Sequence, residues 1–140
     1  MATITNQAAL SYNGVTTLSN IAVGELVEVL TATKTAADTT YTAGGIKTFV
    51  ISLVNSSAAA LTGLTVTDTL GSYTFSGNTL YPLTYVTGSL LYYVNGALQA
   101  TPTVTATAPL TVTGVTVPAG GSAMLIYTAR VNEYAPLGVE

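Results

Sequence analysis

The 140-residue chain is long enough for one β-sandwich of roughly 100 residues plus an arm, and it is 49% hydrophobic but only 6% charged. Six acids (Glu25, Glu28, Asp38, Asp68, Glu133, Glu140) against three bases (Lys34, Lys47, Arg130) give a net charge of -3; without a basic patch, nucleic-acid binding is not expected. With no Cys and no His, disulfides, thiol chemistry, the usual zinc ligand sets and an ordinary catalytic triad are excluded.

The only close acids, Glu25 and Glu28, are too few for calcium, so no metal, no cofactor and no enzymatic activity are expected. Apolar residues are spread among Thr, Ser and Gly rather than gathered into a run of ~18, and membrane insertion is not expected. A surface so poor in charge favours packing against neighbours over dispersal. The first residues, MATIT, carry neither the basic nor the apolar region of a secretory signal.

Helical periodicity is absent, and short alternating or apolar runs recur between Gly, Asn and Pro, which reads as all-β. At the front, Ile4, Asn6, Ala8, Leu10 and Tyr12 share one face of an extended strand, with Thr3, Thr5, Gln7, Ala9 and Ser11 on the other. Asn13-Gly14 supplies the two positive-φ residues of a tight hairpin turn, and residues 15–22 return as a second strand. A lone two-stranded hairpin is marginal in water, so it must lie on its own chain or on another copy. Gly24-Glu25 follows as a linker-like pair.

Residues 25–35 form the next expected strand, with Leu26, Glu28, Leu30, Ala32 and Lys34 on one face. Residues 37–45 (ADTTYTAGG) are a turn region. Residues 46–55 give the strongest strand signal, with Lys47, Phe49, Ile51 and Leu53 on one face, and read as central. Residues 61–70 alternate inward Leu64, Val66, Asp68 and Leu70 with outward Thr65, Thr67 and Thr69, the pattern of a half-buried strand. Residues 71–81 read as a loop.

Residues 82–86 and 89–94 carry Tyr85, Tyr92 and Tyr93, and Asn95-Gly96 turns the chain into residues 97–101. Residues 103–108 and 110–117 are short strands separated by Pro109, and residues 118–122 are a turn. Residues 123–131 form the last expected strand, with Ala123, Leu125, Tyr127, Ala129 and Val131 inward. Beyond it, residues 132–140 (NEYAPLGVE) give no strand signal, so the expected sandwich stops one hairpin short.

Residues 30–36 (LTATKTA), 41–56 (YTAGGIKTFVISLVNS), 61–71 (LTGLTVTDTLG), 117–131 (VPAGGSAMLIYTARV) and 3–12 (TITNQAALSY) together resemble the conserved-repeat domain of bacterial and archaeal surface proteins. That is the Ig-like family known as domain of unknown function eleven, and the resemblance spans almost the whole chain. It implies an Ig-like antiparallel β-sandwich. In that family a strand of the TITN type follows one of the ARV type and closes the repeat; here it comes first.

Two arrangements satisfy such a shifted repeat. The front hairpin can close its own sandwich, or it can enter the open groove of the next subunit as a donor strand, through a head-to-tail contact that repeats into a filament. The expectation is the second: residues 1–23 as a donor hairpin with Ile4, Asn6, Ala8, Leu10 and Tyr12 as the inserted face, and residues 24–140 as a sandwich lacking its closing strand. The expected function is therefore a structural subunit of an extracellular filament or surface appendage on a cell or spore, with other copies of itself as partner. The alternative is a monomeric adhesive module whose tyrosines Tyr81, Tyr85, Tyr92 and Tyr93 grip a surface glycan or protein. A fragment whose missing hairpin lies beyond Glu140 would also fit.

Lys34, Asp68 and Asn6 all take inward positions on strands that the family places near one another. Ig-like surface adhesins form spontaneous Lys-Asn isopeptide bonds beside an acid, and this trio looks similar: a desolvated, neutral Lys amine attacks the Asn carbonyl. The competing reading has Lys34 snorkelling to solvent from a strand end while Asp68 orders a turn. Lys47 with Glu133 or Glu28 is a second inward candidate, whose plainer reading is a rim salt bridge.

Overall fold

In a computed structural model that describes residues 3–25 and 29–137, alternation of Thr with aliphatic residues resolves into β-strands joined by tight turns, with no helix among the described residues. The front of the chain forms one long hairpin. Strands β1 (Thr3–Asn6) and β2 (Ala9–Tyr12) run out, the turn Asn13-Gly14 adopts positive φ at both residues (48° and 74°), and β3 (Val15–Leu18) and β4 (Ala22–Glu25) run back. The expected linker pair Gly24-Glu25 is instead the end of β4, so the hairpin extends beyond residue 23. The reason is a good ladder: Ile4 faces Gly24 and Thr3 faces Glu25.

The hairpin carries one bulge. Tyr12 faces Val15 and Ala9 faces Leu18, but Asn6 faces Ala22, so three residues of the return strand (19–21) oppose two of the first (7–8). The Ser19 hydroxyl accepts the Ala8 amide at 2.9 Å, and the Gln7 side chain donates to the Ser19 carbonyl at 2.8 Å, so the irregularity keeps its backbone groups satisfied.

The body is a two-sheet antiparallel sandwich. One sheet runs in the order β12 (Ala97–Gln99), β11 (Leu91–Val94), β15 (Ser122–Val131), β6 (Ile46–Asn55), β5 (Leu30–Ala36), and β10 (Leu83–Tyr85) also pairs with β15. The facing sheet is β13 (Thr103–Thr107), β14 (Leu110–Val117), β7 (Leu61–Asp68). Strands β6 and β15 bury alternate residues along their whole length, and Ala123, Leu125 and Tyr127 of β15 face Leu53, Ile51 and Phe49 of β6. Leu110, Val112, Val115 and Val117 of β14 close the core from the other sheet. Fully burying each such side chain contributes about 1.5–3 kcal/mol.

Two expectations need correction. Residues 25–35 are not one strand: Glu25 ends β4 and β5 begins at Leu30, while Leu26, Val27 and Glu28 lie outside the described residues. Residues 71–81 are not a plain loop either. They form the hairpin β8 (Tyr73–Phe75) and β9 (Asn78–Leu80), turned by Ser76-Gly77 with φ of 48° and 78°, the conformation an Asn-Gly pair would adopt. The central position of residues 46–55 and the inward set of residues 123–131 stand as expected.

Candidate assembly site

The two sheets do not match in width, and the mismatch leaves a groove. Strand β5 is the edge of one sheet and β7 the edge of the other. Residues Leu30, Ala32 and Lys34 of β5 should be covered by parity, yet every residue of this strand is exposed. Opposite, Leu64 and Val66 of β7 are only half-buried, whereas the inward residues of β14 are fully buried. Between them lies an open cavity of about 470 Å³ whose floor adds Ile51 and Leu53 of β6. Consecutive residues of β7, Leu64 through Asp68, and the following Thr69 line it, so the groove meets the edge of that strand left unpaired among the described residues.

One end of the groove is polar. The Lys34 ammonium donates to Asp68 Oδ1 at 2.9 Å, lies 2.7 Å from Oδ2 in the ion pair, and sits 4.6 Å from the centre of the Phe49 ring. Asp68 is nearly fully buried, and also accepts the Tyr127 hydroxyl at 2.5 Å and the Leu70 amide at 2.9 Å. Burial alone would raise the Asp68 carboxyl, but the bonds from Lys34, Tyr127 and Leu70 outweigh it and hold the carboxyl below its usual range. Burial and then the adjacent carboxylate push the Tyr127 hydroxyl far up, so it stays a donor. The resting arrangement is an ion pair, with Asp68 ordering the following turn.

Of the isopeptide trio, the fold brings Lys34 and Asp68 together and leaves Asn6 on β1, paired with Ala22 and exposed. The flanking rings were not among the expected residues. Phe49 and Tyr127 are direct cross-strand neighbours stacked at 5.5 Å, and their signal was the shared inward parity of residues 46–55 and 123–131.

The second lysine differs from expectation. Lys47 is buried and donates to Asp38 Oδ1 at 2.5 Å, to the Asp38 carbonyl at 2.9 Å and to the Thr40 carbonyl at 2.7 Å. Its partner is Asp38 rather than Glu133, because the turn after β5 folds over the start of β6 and supplies three acceptors; Glu28 lies outside the described residues.

The tyrosines do not share a platform. Tyr85 and Tyr92 are core residues, and the Tyr92 hydroxyl donates to the Thr116 carbonyl at 2.6 Å and accepts its amide at 3.0 Å. Tyr81 packs on the core edge, and Tyr93 faces the opposite side, lining a shallow groove with Val54 and Met124.

The arm stands apart from all of this. Among the described residues, strands β1 to β4 pair only with one another; Leu10, Tyr12 and Val15 share a face of the β2–β3 ladder, Ile4 of β1 has the same sequence parity as Leu10, and Ile4, Leu10, Tyr12 and Val15 are 75, 69, 74 and 65% exposed. Asn6 shares the face of Ile4 in the β1–β4 ladder. Comparison of the chain with protein-family models, with curated proteins and with solved structures finds no match.

Proposed function

We propose that this protein is a structural subunit that assembles head to tail by donor-strand complementation into an extracellular filament or surface appendage. The observation that carries the reading is the pairing of two incomplete parts in one chain. Among the described residues, an apolar hairpin face has nothing beneath it and an apolar groove between β5 and β7 has no strand over it. Each exposes surface that water disfavours, and joining a donor from one copy to the groove of the next covers both. Donor and acceptor are different surfaces, so the contact is head to tail and can repeat from copy to copy into an open filament.

The near absence of charge suits close packing of copies, and the Ig-like resemblance to surface-protein repeats agrees with a place on a cell or spore surface. Covalent linkage is a further layer of the same proposal. Transfer of a Lys34 proton to Asp68, then attack of the neutral amine on the Asn6 carboxamide of a neighbouring copy, would form the new amide, break the Asn6 C–N bond and release ammonia.

The test is the full-length chain examined by negative-stain microscopy, with a denaturing gel of the same sample. The expected result is fibres from the unaltered protein and soluble, folded, non-assembling subunits from Leu10→Asp, since a carboxylate cannot be buried unpaired in the groove. Normal fibres from Leu10→Asp would sink the donor-strand reading. Unaltered protein that stays monomeric would instead favour the adhesive module. Boiled fibres that collapse to 14.2 kDa are held by non-covalent contacts, and a surviving ladder points to Lys34-Asn6 or a similar covalent bond.

A further inference from the structure

We infer that the donor enters beside β7, antiparallel to it, in one register that places Asn6 against Asp68, Ala8 against Val66 and Leu10 against Leu64 of the next copy. The assignment rests on the donor-strand reading and adds where, in which direction and in which register the strand binds.

The edge is chosen by how the groove is lined. Consecutive residues of β7 border it, as they do where a backbone edge is open, whereas β5 contributes chiefly the face bearing Leu30, Ala32 and Lys34. A strand added to β7 therefore lies over β5 and covers the residues that parity marks as inward but the free subunit exposes. It would extend the order β13-β14-β7 by the two strands of the hairpin, because the first arm strand pairs with the return strand on one edge only.

Direction and register follow from polarity. Strands β5 and β7 both run toward the Lys34-Asp68 end, leaving Leu30, Leu53 and Leu64 at the apolar end. The arm's first strand has one polar residue among its inward positions, Asn6, flanked by Ile4 and by Ala8 and Leu10. Asp68 accepts three hydrogen bonds, from Lys34 and the Leu70 amide at Oδ1 and from the Tyr127 hydroxyl at Oδ2, while Lys34 spends one of its three N–H groups on Oδ1 and lies 2.7 Å from Oδ2 in the ion pair. The Asn6 carbonyl oxygen is a matching acceptor for a further Lys34 N–H.

With Asn6 there, Ala8 and Leu10 reach the apolar end only if the donor runs opposite to β7. The outward residues then also match: Thr5, Gln7 and Ala9 fall beside Thr69, Thr67 and Thr65. Sliding by one residue turns Gln7 into the apolar floor, and sliding by two sets Asn6 against Val66 with no partner for its amide. The arm from Thr3 to Gly24 is uncharged and the groove's two charges neutralise each other, so an uncharged occupant is the complement.

The chain contains no cysteine, so engineered pairs report the register directly. The full-length double variants Ala8→Cys/Val66→Cys and Leu10→Cys/Leu64→Cys are assembled and oxidised, alongside the shifted control Ala9→Cys/Val66→Cys. Directly opposed residues on one sheet face lie within disulfide reach. The expected result is a non-reducing ladder of multimers from both in-register pairs, collapsed by reductant, with at least tenfold less from the control. Mixing single-cysteine chains Ala8→Cys and Val66→Cys should give dimers and no larger product.

Fibres in which neither pair links, or in which only the control links, overturn the β7 register and leave the donor-strand function standing. Monomers whose disulfide forms within one chain overturn both, because the arm then closes its own sandwich.

Discussion

Asp68 is the residue on which the groove's chemistry turns. It terminates β7, accepts from two strands of the opposite sheet through Lys34 and Tyr127, and fixes the turn at Leu70, whose φ of 53° is otherwise unfavourable for a leucine. Asp68→Ala leaves the fully buried Tyr127 hydroxyl without an acceptor, at a cost of about 1–3 kcal/mol, which a shift of the urea midpoint at constant slope would measure. The pH dependence has a defined sign. Because the folded carboxyl is held below its ordinary value of 3.8, the unfolded chain binds the extra proton first as acid is added. The contribution of Asp68 is therefore complete above that value and is lost as pH falls through the lowered folded value.

Tyr127 behaves in the opposite sense. Its folded hydroxyl titrates far above 10.0, so its contribution is complete below that pH and stability declines as alkali ionises the unfolded chain first. Lys34→Met should move the acid transition to higher pH and leave the alkaline decline in place, because it removes the partner that lowers Asp68 while leaving the buried phenol. Circular dichroism followed across pH reads both limbs; an acid transition unmoved by Lys34→Met would remove Lys34 from this account.

At the scale of elements, the arm is a hairpin with a face rather than a flexible tail. Its turn depends on Asn13-Gly14 at positive φ, and Gly14→Val forces a β-branched residue into a conformation costing of order 1–3 kcal/mol. For a two-stranded hairpin that is enough to break the pairing. We expect Gly14→Val subunits to keep the thermal midpoint of the sandwich but to assemble at least tenfold more slowly. An unchanged assembly rate would mean that the donor binds as a single strand and the return strand is dispensable. The bulge at residues 19–21 has a part here as well, since it twists the edge that would become the outer edge of the filled sheet.

At the scale of the molecule, the proposal predicts a difference between subunit and polymer. Filling the groove would cover Leu30 and Ala32, complete the hydrogen bonds of the β7 edge and bury the exposed face of Ile4, Leu10, Tyr12 and Val15. Assembled protein should therefore melt well above the isolated Leu10→Asp subunit, and its midpoint should rise with protein concentration, because association stabilises by mass action. Coincident, concentration-independent midpoints for the two would show that the groove stays empty in solution.

The all-β fold, the strands over residues 46–55 and 123–131, and the hairpin at the front were legible in the sequence because each rests on local physics. Period-two alternation marks a half-buried strand, and Asn-Gly marks a primed turn. The inward set Leu64, Val66 and Asp68 was legible for the same reason. The hairpin β8–β9 was not, because Ser76-Gly77 reaches the same turn without the usual Asn.

Partnerships across long sequence distances were decided only by the tertiary structure. Sequence parity placed Lys34 and Asp68 inward, but the rings of Phe49 and Tyr127 at the ammonium, the choice of Asp38 for Lys47, and the burial of Tyr85 and Tyr92 away from any shared platform depend on which sheets face each other. Parity says that a residue points inward; only the packing of the second sheet says whether anything is there to meet it. Lys34 of β5 meets Asp68, but among the described residues nothing covers Leu30 and Ala32, and that is why they line an open groove.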